Sequence, residues 1–423
     1  MRGLPRLAAV DEANLVLDHP GQVNVFLVAG LLAEGGFVHA GGVLDVDAVR
    51  RHVGERIATL PQLRRVAVAD GHRHRWAEAP PDLEEHIRLV AAVGGLPGLE
   101  RLCGELMSVP LPRDRPMWEL LLVPGAGPVG VAMVLRIHHA LADGMAAVAI
   151  VQQIFHPGAA SVAAADAPRP AAVPALERDL RSILARAMFR LHRMRLTLSG
   201  REVGSTVLLG ERSARRGVTF LDAGLTALEE NARVCGATVN DALLAAVAAG
   251  YRAALTAAGE GIPDALPVSV PVALRRRGTA GNQVGVMLVR LPLRESDPQA
   301  RIRNIARQTK VEKTTARQQG TLEFMRGPVG ARLMDRLARR QHMVAGFVTN
   351  VPGPSGAVEL AGARIAAIWP VAVLAANVRL GVAAISYDGR LYCGVHFDPD
   401  HVAGAEFARG MKAELDHQTA PNT

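Results

Sequence analysis

The stretch Val131-Ala132-Met133-Val134-Leu135-Arg136-Ile137-His138-His139-Ala140-Leu141-Ala142-Asp143-Gly144 decides the fold. Positions 131–137 read as a near-continuous apolar run, the pattern of a strand covered on both faces. The apolar segment 145–155 reads as a helix, so two histidines stand where a buried strand ends and a helix is about to begin. A buried imidazole is costly without a partner, and two in succession need an explanation. Successive strand side chains point to opposite faces, so only one of the pair can face a given cleft. The other must pack or hydrogen-bond behind the strand, where it positions the loop. Gly144 allows a tight turn into the helix, and Asp143 can cap that helix or pair with a cation. An imidazole titrating near about 6.5 suits proton abstraction from a hydroxyl or amine. From these residues alone, a structural pair and a catalytic pair both stay open.

Working outward, 118–123 reads as the preceding strand, and 22–44 and 117–137 together supply strands that alternate with amphipathic helices over 46–58 and 97–107. This alternation predicts an α/β unit. Gly125-Ala126-Gly127-Pro128-Val129-Gly130 has the spacing of a dinucleotide fingerprint, but it opens another strand rather than a helix and therefore reads as a hairpin turn. Residues 157–175 carry four prolines and no periodicity, which predicts a linker. Residues 176–198 have helical periodicity and six arginines, open to two readings: the solvated face of a packed helix, or a membrane-surface helix. The second half repeats the alternation, with helices near 224–235, 239–257 and 297–340 and strands near 266–273, 283–292 and 344–398. The expected division is 1–156, the linker 157–175, and 176–423, with function at the seam.

The chain has 423 residues, 49% of them hydrophobic, enough for two substantial cores. A net charge of +8 favours anionic partners without choosing among them. No basic run interleaved with aromatics and no helix-turn-helix pattern is present, so nucleic acid is not an expected partner. Three scattered cysteines fit neither a disulfide framework nor a zinc site and point to a reducing compartment. His72, His74 and His86 invite a metal reading, but 71–75 is a basic turn lacking carboxylate or thiolate, so no metal is expected. The N-terminus lacks a signal-peptide pattern, and no apolar run is long enough to span a bilayer. A cytoplasmic protein is expected, with peripheral membrane contact open. No Gly-x-Ser-x-Gly elbow or equivalent cysteine accompanies the histidines, so no covalent acyl-enzyme is indicated.

His138-His139-Ala140-Leu141-Ala142-Asp143-Gly144 resembles the HHxxxDG motif of CoA-dependent acyltransferases, and more narrowly that of the bacterial wax ester synthase/diacylglycerol acyltransferases. Other segments resemble that family in the same order along the chain. They are Asp82-Leu83-Glu84-Glu85-His86-Ile87-Arg88, Leu111-Pro112-Arg113-Asp114-Arg115-Pro116-Met117-Trp118-Glu119, Val239-Asn240-Asp241, Pro267-Val268-Ser269-Val270-Pro271-Val272-Ala273-Leu274-Arg275 with Gly281-Asn282, Thr349-Asn350-Val351-Pro352-Gly353-Pro354, and Ser386-Tyr387-Asp388-Gly389.

The resemblance implies an α/β (α+β) fold of two chloramphenicol-acetyltransferase-like domains with a substrate tunnel at their interface. It implies His139 as general base, His138 beside it, Asp143 and Gly144 shaping the loop, and Arg275 as candidate partner of Asp143. Asn240 and Asn282 become candidate pocket residues, while Thr238 and Asp241 fit a helix capping box, which assigns Asp241 a structural role. Acyl-CoA is the implied co-substrate, with no further cofactor, and the acceptor is a hydroxyl, by family default a long-chain alcohol or diacylglycerol. Residues 370–380 and Ala13-Asn14 depart from the family pattern, which leaves room for a specialised hydroxyl or amine acceptor. Peripheral contact with a membrane or lipid droplet goes with lipid acceptors. Two alternatives are a condensation-type ester or amide synthase fed by an acyl-carrier protein, and a non-catalytic lipid-binding scaffold.

Overall fold

The computed structural model describes residues 5–127, 130–142, 144–155, 202–274, 283–319, 332, 335–354 and 356–420. The expected linker at 157–175 and the arginine-bearing segment 176–198 lie outside them. The strands are β1 (Val25–Leu32), β2 (Arg65–Asp70), β3 (Arg73–Glu78), β4 (Ile87–Leu89), β5 (Trp118–Pro124), β6 (Val131–His138), β7 (Gly217–Gly224), β8 (Ala265–Leu274), β9 (Gln283–Pro292), β10 (Gly346–Pro352), β11 (Glu359–Leu360), β12 (Ala363–Val371), β13 (Leu380–Tyr387) and β14 (Arg390–Phe397). They form two six-stranded sheets, β11-β12-β1-β6-β5-β4 and β7-β14-β13-β10-β8-β9, beside the small β2-β3 hairpin. The two large sheets and their helices give the expected α/β architecture.

In the first sheet β6 is buried along its whole length, between β1 and β5. The glycine-rich fingerprint is the turn joining β5 to β6, which pair antiparallel with Pro124 opposite Val131. Gly125 and Gly130 both adopt positive φ, 79° and 82°. A Cβ on Gly125 would lie 2.2 Å from the Val93 carbonyl oxygen, so the glycine serves both the turn and a close approach. The apolar run on β6 has one exception. Arg136 is buried, with its side chain 3% exposed, and Nη1 lies 2.5 Å from Glu119 Oε1. Its other terminal nitrogen donates to the carbonyls of Leu106, at 2.7 Å, and Val109. Charge is tolerated inside this sheet because both terminal nitrogens of Arg136 and both oxygens of Glu119 find partners, the second oxygen accepting from Arg88 Nη2 at 2.8 Å.

The strand expected over 22–44 is shorter than its apolar pattern. It stops at Leu32, and Gly35 and Gly36 turn the chain with φ of 132° and 53°.

Sequence order does not predict the partner of β1 on its other edge. β12, from the C-terminal half, pairs antiparallel with it, Leu27 opposite Val371 and Ala29 opposite Trp369. This crossing strand is clamped onto the second sheet by aromatics. Trp369 stacks on Phe220 at 4.9 Å, meets Tyr392 edge-on at 5.6 Å, and donates from Nε1 to the Leu221 carbonyl at 3.2 Å. Tyr387 Oη donates to the Ile365 carbonyl at 2.7 Å. On β14, a Cβ at Gly394 would meet the Pro370 carbonyl oxygen at 2.0 Å, so only glycine admits the crossing backbone. A second junction joins helix Gly95–Leu106 to edge strand β7, where Glu100 Oε1 accepts the Phe220 amide at 2.7 Å. The first core accordingly includes Val218, Phe220, Ile385, Tyr387 and Tyr392 from the second half.

Helix Val239–Ala257 begins with the predicted capping box. Thr238 donates from its amide (2.8 Å) and its hydroxyl (2.7 Å) to Asp241 Oδ2, while Thr309 Oγ1 donates to Oδ1 at 2.7 Å. Asp241 is therefore structural.

Removing the carboxylate by Glu119→Leu would leave Arg136 charged without its ion-pair partner in the sheet. Urea unfolding is expected to show a loss of about 3–5 kcal/mol. A loss below about 1 kcal/mol would mean that the two carbonyls alone compensate the guanidinium.

Candidate active site

The site starts from the pairing of β1 with β6, which sets Val25 opposite His138 and Phe26 opposite Ile137. Beyond the strand end, the His139 amide donates to the Asn24 carbonyl at 2.9 Å, so the pairing continues past the last ladder residue. The pleat then separates the two imidazoles. His139, half-buried, lies edge-on to Phe26 with ring centroids 5.4 Å apart. His138 points to the other face and is fully buried, with Nε2 3.6 Å from Asp18 Oδ2. Its Nδ1 accepts the amide of Ala140 at 3.0 Å. His138 is thus the histidine that works behind the strand and holds the loop.

Asp18 is buried and tied in from three directions. Its Oδ1 accepts the Asn24 amide at 2.8 Å, and Oδ2 accepts from Arg113 Nη2 at 3.2 Å and faces His138. Burial pushes this carboxyl up, but His138, the Asn24 amide and Arg113 outweigh it and hold the group below its ordinary value. Asn24 in turn donates from Nδ2 to the Asn14 carbonyl at 2.8 Å and accepts on Oδ1 from Gln22 Nε2 at 3.0 Å. Gln22 also donates to the Leu374 carbonyl at 3.0 Å. Arg212 closes the network, donating to Leu374 O at 2.6 Å, to Gln22 Oε1 at 2.5 Å and to Gly21 O at 3.1 Å. Burial lowers Arg212 to about 10, helped by neighbouring Arg216 and Arg339. The loop bearing His139 is therefore linked, bond by bond, to the segment that follows β12.

Helix Gly144–Phe155 begins with Gly144, directly after the loop, so His138, His139 and Gly144 form one strand-loop-helix unit. Asn240 stands on the first turn of helix Val239–Ala257, part of the second core. Asp143, Arg275 and Asn282 lie outside the described residues. Asp18, Asn24, Gln22 and Arg212 carry no motif signal in the sequence, and Arg113 stands there only as part of the segment 111–119. Asp18-His19-Pro20-Gly21 reads as an ordinary turn, and only the buried strand after it hints that the aspartate is inside.

Two of the histidines that invited a metal reading, His74 and His86, are held by structural contacts. His74 Nδ1 lies 2.8 Å from Glu12 Oε1 on the β2-β3 hairpin. His86 is buried rather than on the surface, with its ring nitrogens 2.7 and 3.0 Å from the Asp82 and Pro116 carbonyls and its ring 4.6 Å from Trp118. Among the described residues no cluster of three or more His, Cys, Asp or Glu could hold a metal. Burial pushes up the thiols of all three cysteines. No single described helix is long and apolar enough to cross a membrane.

Residues 7–200 match the wax ester synthase/diacylglycerol acyltransferase catalytic domain, and residues 280–417 match the C-terminal domain of the same family. The chain belongs to this family. A probable diacylglycerol O-acyltransferase of Mycobacterium tuberculosis is 28% identical over 435 residues, covering 92% of this chain and 90% of its own. The solved wax ester synthase/diacylglycerol acyltransferase of Marinobacter aquaeolei VT8 superposes with a TM-score of 0.72 at 20% identity, over 98% of this chain and all of that one. The first condensation domain of the CDA synthetase shares the two-domain fold at a TM-score of 0.59 and 16% identity, over 99% and 97% of the two chains. The protein is an acyltransferase that transfers acyl groups to a hydroxyl acceptor.

His396 lies on β14 beside the crossing segment, with Nδ1 2.7 Å from the Ala372 carbonyl. Burial, joined by Arg216 and Arg212, lowers it to about 3. The folded value is below the unfolded one, so its contribution is complete above about pH 6.5 and is lost as pH falls from there toward 3. In His396→Asn, stability measured from pH 6 to pH 4 should fall less steeply, by about 1.4 kcal/mol per pH unit. Parallel curves for parent and variant would contradict this.

Proposed function

We propose that His139 is the general base in direct transfer of an acyl group from acyl-CoA to a lipid hydroxyl. The observation that carries the proposal is the split of the histidine pair: His138 is fully buried against Asp18, while His139 is half-buried on the opposite face. A group that must meet a substrate needs that partial exposure, and a group that shapes a loop does not. In the proposed step His139 takes the hydroxyl proton, the hydroxyl oxygen bonds to the thioester carbonyl carbon, the C–S bond breaks, and the proton passes to the leaving thiolate. The products are an ester and free CoA. Asn240, Asn282 and backbone amides near Gly144 are the proposed donors to the tetrahedral oxyanion, with Asp143 and Arg275 holding the loop.

Direct attack is supported by the cysteines, since burial pushes all three thiols up, away from the thiolate form a nucleophile needs. The mycobacterial relative's name points to diacylglycerol as acceptor, and the Marinobacter neighbour's also to wax-forming alcohols. We take acyl-CoA as donor in preference to an acyl-carrier protein because the matched family is the wax ester synthase/diacylglycerol acyltransferase one. Such acceptors partition into membranes or lipid droplets, and peripheral contact there, from the cytoplasmic side, is part of the proposal. So are a tunnel between the two halves and a division of the chain at 157–175.

The test is ester formation by purified protein from long-chain acyl-CoA with a long-chain alcohol or diacylglycerol. His139→Ala should lower turnover by roughly 10²–10⁴-fold with the melting temperature kept. Activity within tenfold of the parent in a folded variant would remove His139 from the chemistry. His138→Ala should lose stability together with rate, because its bonds lie in the buried network. A purely kinetic defect would exchange the two assignments.

A further inference from the structure

We propose that Asp18 is a positioning residue for acyl transfer, selecting the tautomer of His138 and, through Asn24, setting the backbone of His139. The proposal rests on His139 being the base. Its first step follows from one hydrogen bond. The Ala140 amide donates to His138 Nδ1 at 3.0 Å, so that nitrogen carries a lone pair and the ring hydrogen sits on Nε2. Nε2 has no hydrogen-bond partner among the described residues, and the nearest charged group is Asp18 Oδ2 at 3.6 Å, with both side chains fully buried. An N–H facing a carboxylate in a buried setting is favourable. The opposite tautomer would aim a lone pair at the carboxylate and a ring N–H at the Ala140 amide, two repulsive contacts in a medium that screens them weakly.

The same carboxylate reaches His139 by a second path. Asp18 Oδ1 accepts the Asn24 amide at 2.8 Å, and the Asn24 carbonyl accepts the His139 amide at 2.9 Å. One buried side chain therefore governs both histidines, the first by its proton and the second by its backbone. Arg113, donating to Oδ2 at 3.2 Å and to the Asp18 carbonyl at 2.5 Å, keeps the carboxylate in place.

Asp18→Asn changes this arrangement with almost no change of volume. The carboxamide oxygen can still accept the Asn24 amide, which leaves the NH₂ group facing both Arg113 and His138 Nε2–H, donor against donor. The ring escapes by moving its hydrogen to Nδ1, and the Ala140 amide then loses its acceptor. The loop of residues 139–142 is released while the core stays filled.

The experiment has a spectroscopic arm and a kinetic arm, both on the full chain. In the parent, ¹⁵N-histidine NMR, with the His138 signals identified by their loss in His138→Gln, should show a protonated Nε2 and an unprotonated Nδ1. In Asp18→Asn the pattern should reverse or average. In the ester-forming assay, Asp18→Asn should lower kcat by about tenfold or more, with KM for acyl-CoA changed less than about threefold. In a His138→Gln background the same substitution should cost less than about twofold, since the path through His138 is already broken. A parent with Nδ1 protonated, an unchanged tautomer in Asp18→Asn, an unchanged kcat, or fully additive effects in the double variant would each overturn the proposal. A parent that forms no ester would instead refute the functional reading, and the NMR arm would still decide whether Asp18 selects the tautomer.

Discussion

The two-residue period of β6 sends Arg136 and His138 to one side of the first sheet, and Ile137 and His139 to the other. On the first side lies a buried polar layer in which Arg136 meets Glu119 and His138 meets Asp18. On the second side Phe26, the cross-strand partner of Ile137, packs edge-on against His139. A slip of one residue in the pairing of β1 with β6 would take Asp18 away from His138 and Phe26 away from His139, and would remove Asn24 as the acceptor of the His139 amide. The register is therefore the constraint on which the site depends, and the buried Asp18 helps to enforce it, because it meets both the Asn24 amide and His138 only in the native register.

That register is held from outside the N-terminal half as well. β12 closes the free edge of β1 and is itself pinned to the second sheet by Trp369, Tyr387 and the glycine at 394. Gln22 and Arg212 meet at the Leu374 carbonyl, just beyond the crossing strand. The histidine loop is thus supported by residues drawn from both ends of the chain. Neither half carries the complete support, which gives a physical reason for the resemblance to relatives to extend over both halves.

Much of this could be read along the sequence where the determinants are local. The hairpin at 125–130 follows from glycines between two strands, and the capping box at Thr238 and Asp241 from four consecutive residues. That only one of His138 and His139 can face a given cleft follows from strand alternation, which needs no tertiary information, while the choice of His139 is what the family resemblance implies. The partner of His138 could not be read in the same way, because Asp18 lies 120 residues upstream in a segment with the composition of a turn. Arg136 was absorbed into an apolar run, since a single charge in a strand does not announce a buried counter-ion. The passage of β12 into the first sheet was hidden for a related reason: a strand's own sequence fixes its faces but not its neighbour. The end of β1 at Leu32 was obscured by apolar residues continuing beyond the turn at Gly35 and Gly36.

The chemistry proposed at His139 needs no covalent intermediate if the loop places the imidazole against a bound hydroxyl while the thioester is already in position, since orientation replaces the nucleophile. Both substrates must then be bound at once. The most direct measurement is the initial rate as a function of both acyl-CoA and alcohol concentration, accompanied by intact-protein mass spectrometry after incubation with acyl-CoA alone. Direct transfer predicts double-reciprocal lines that intersect and a protein of unchanged mass. Parallel lines, together with one acyl group gained by the protein, would contradict it.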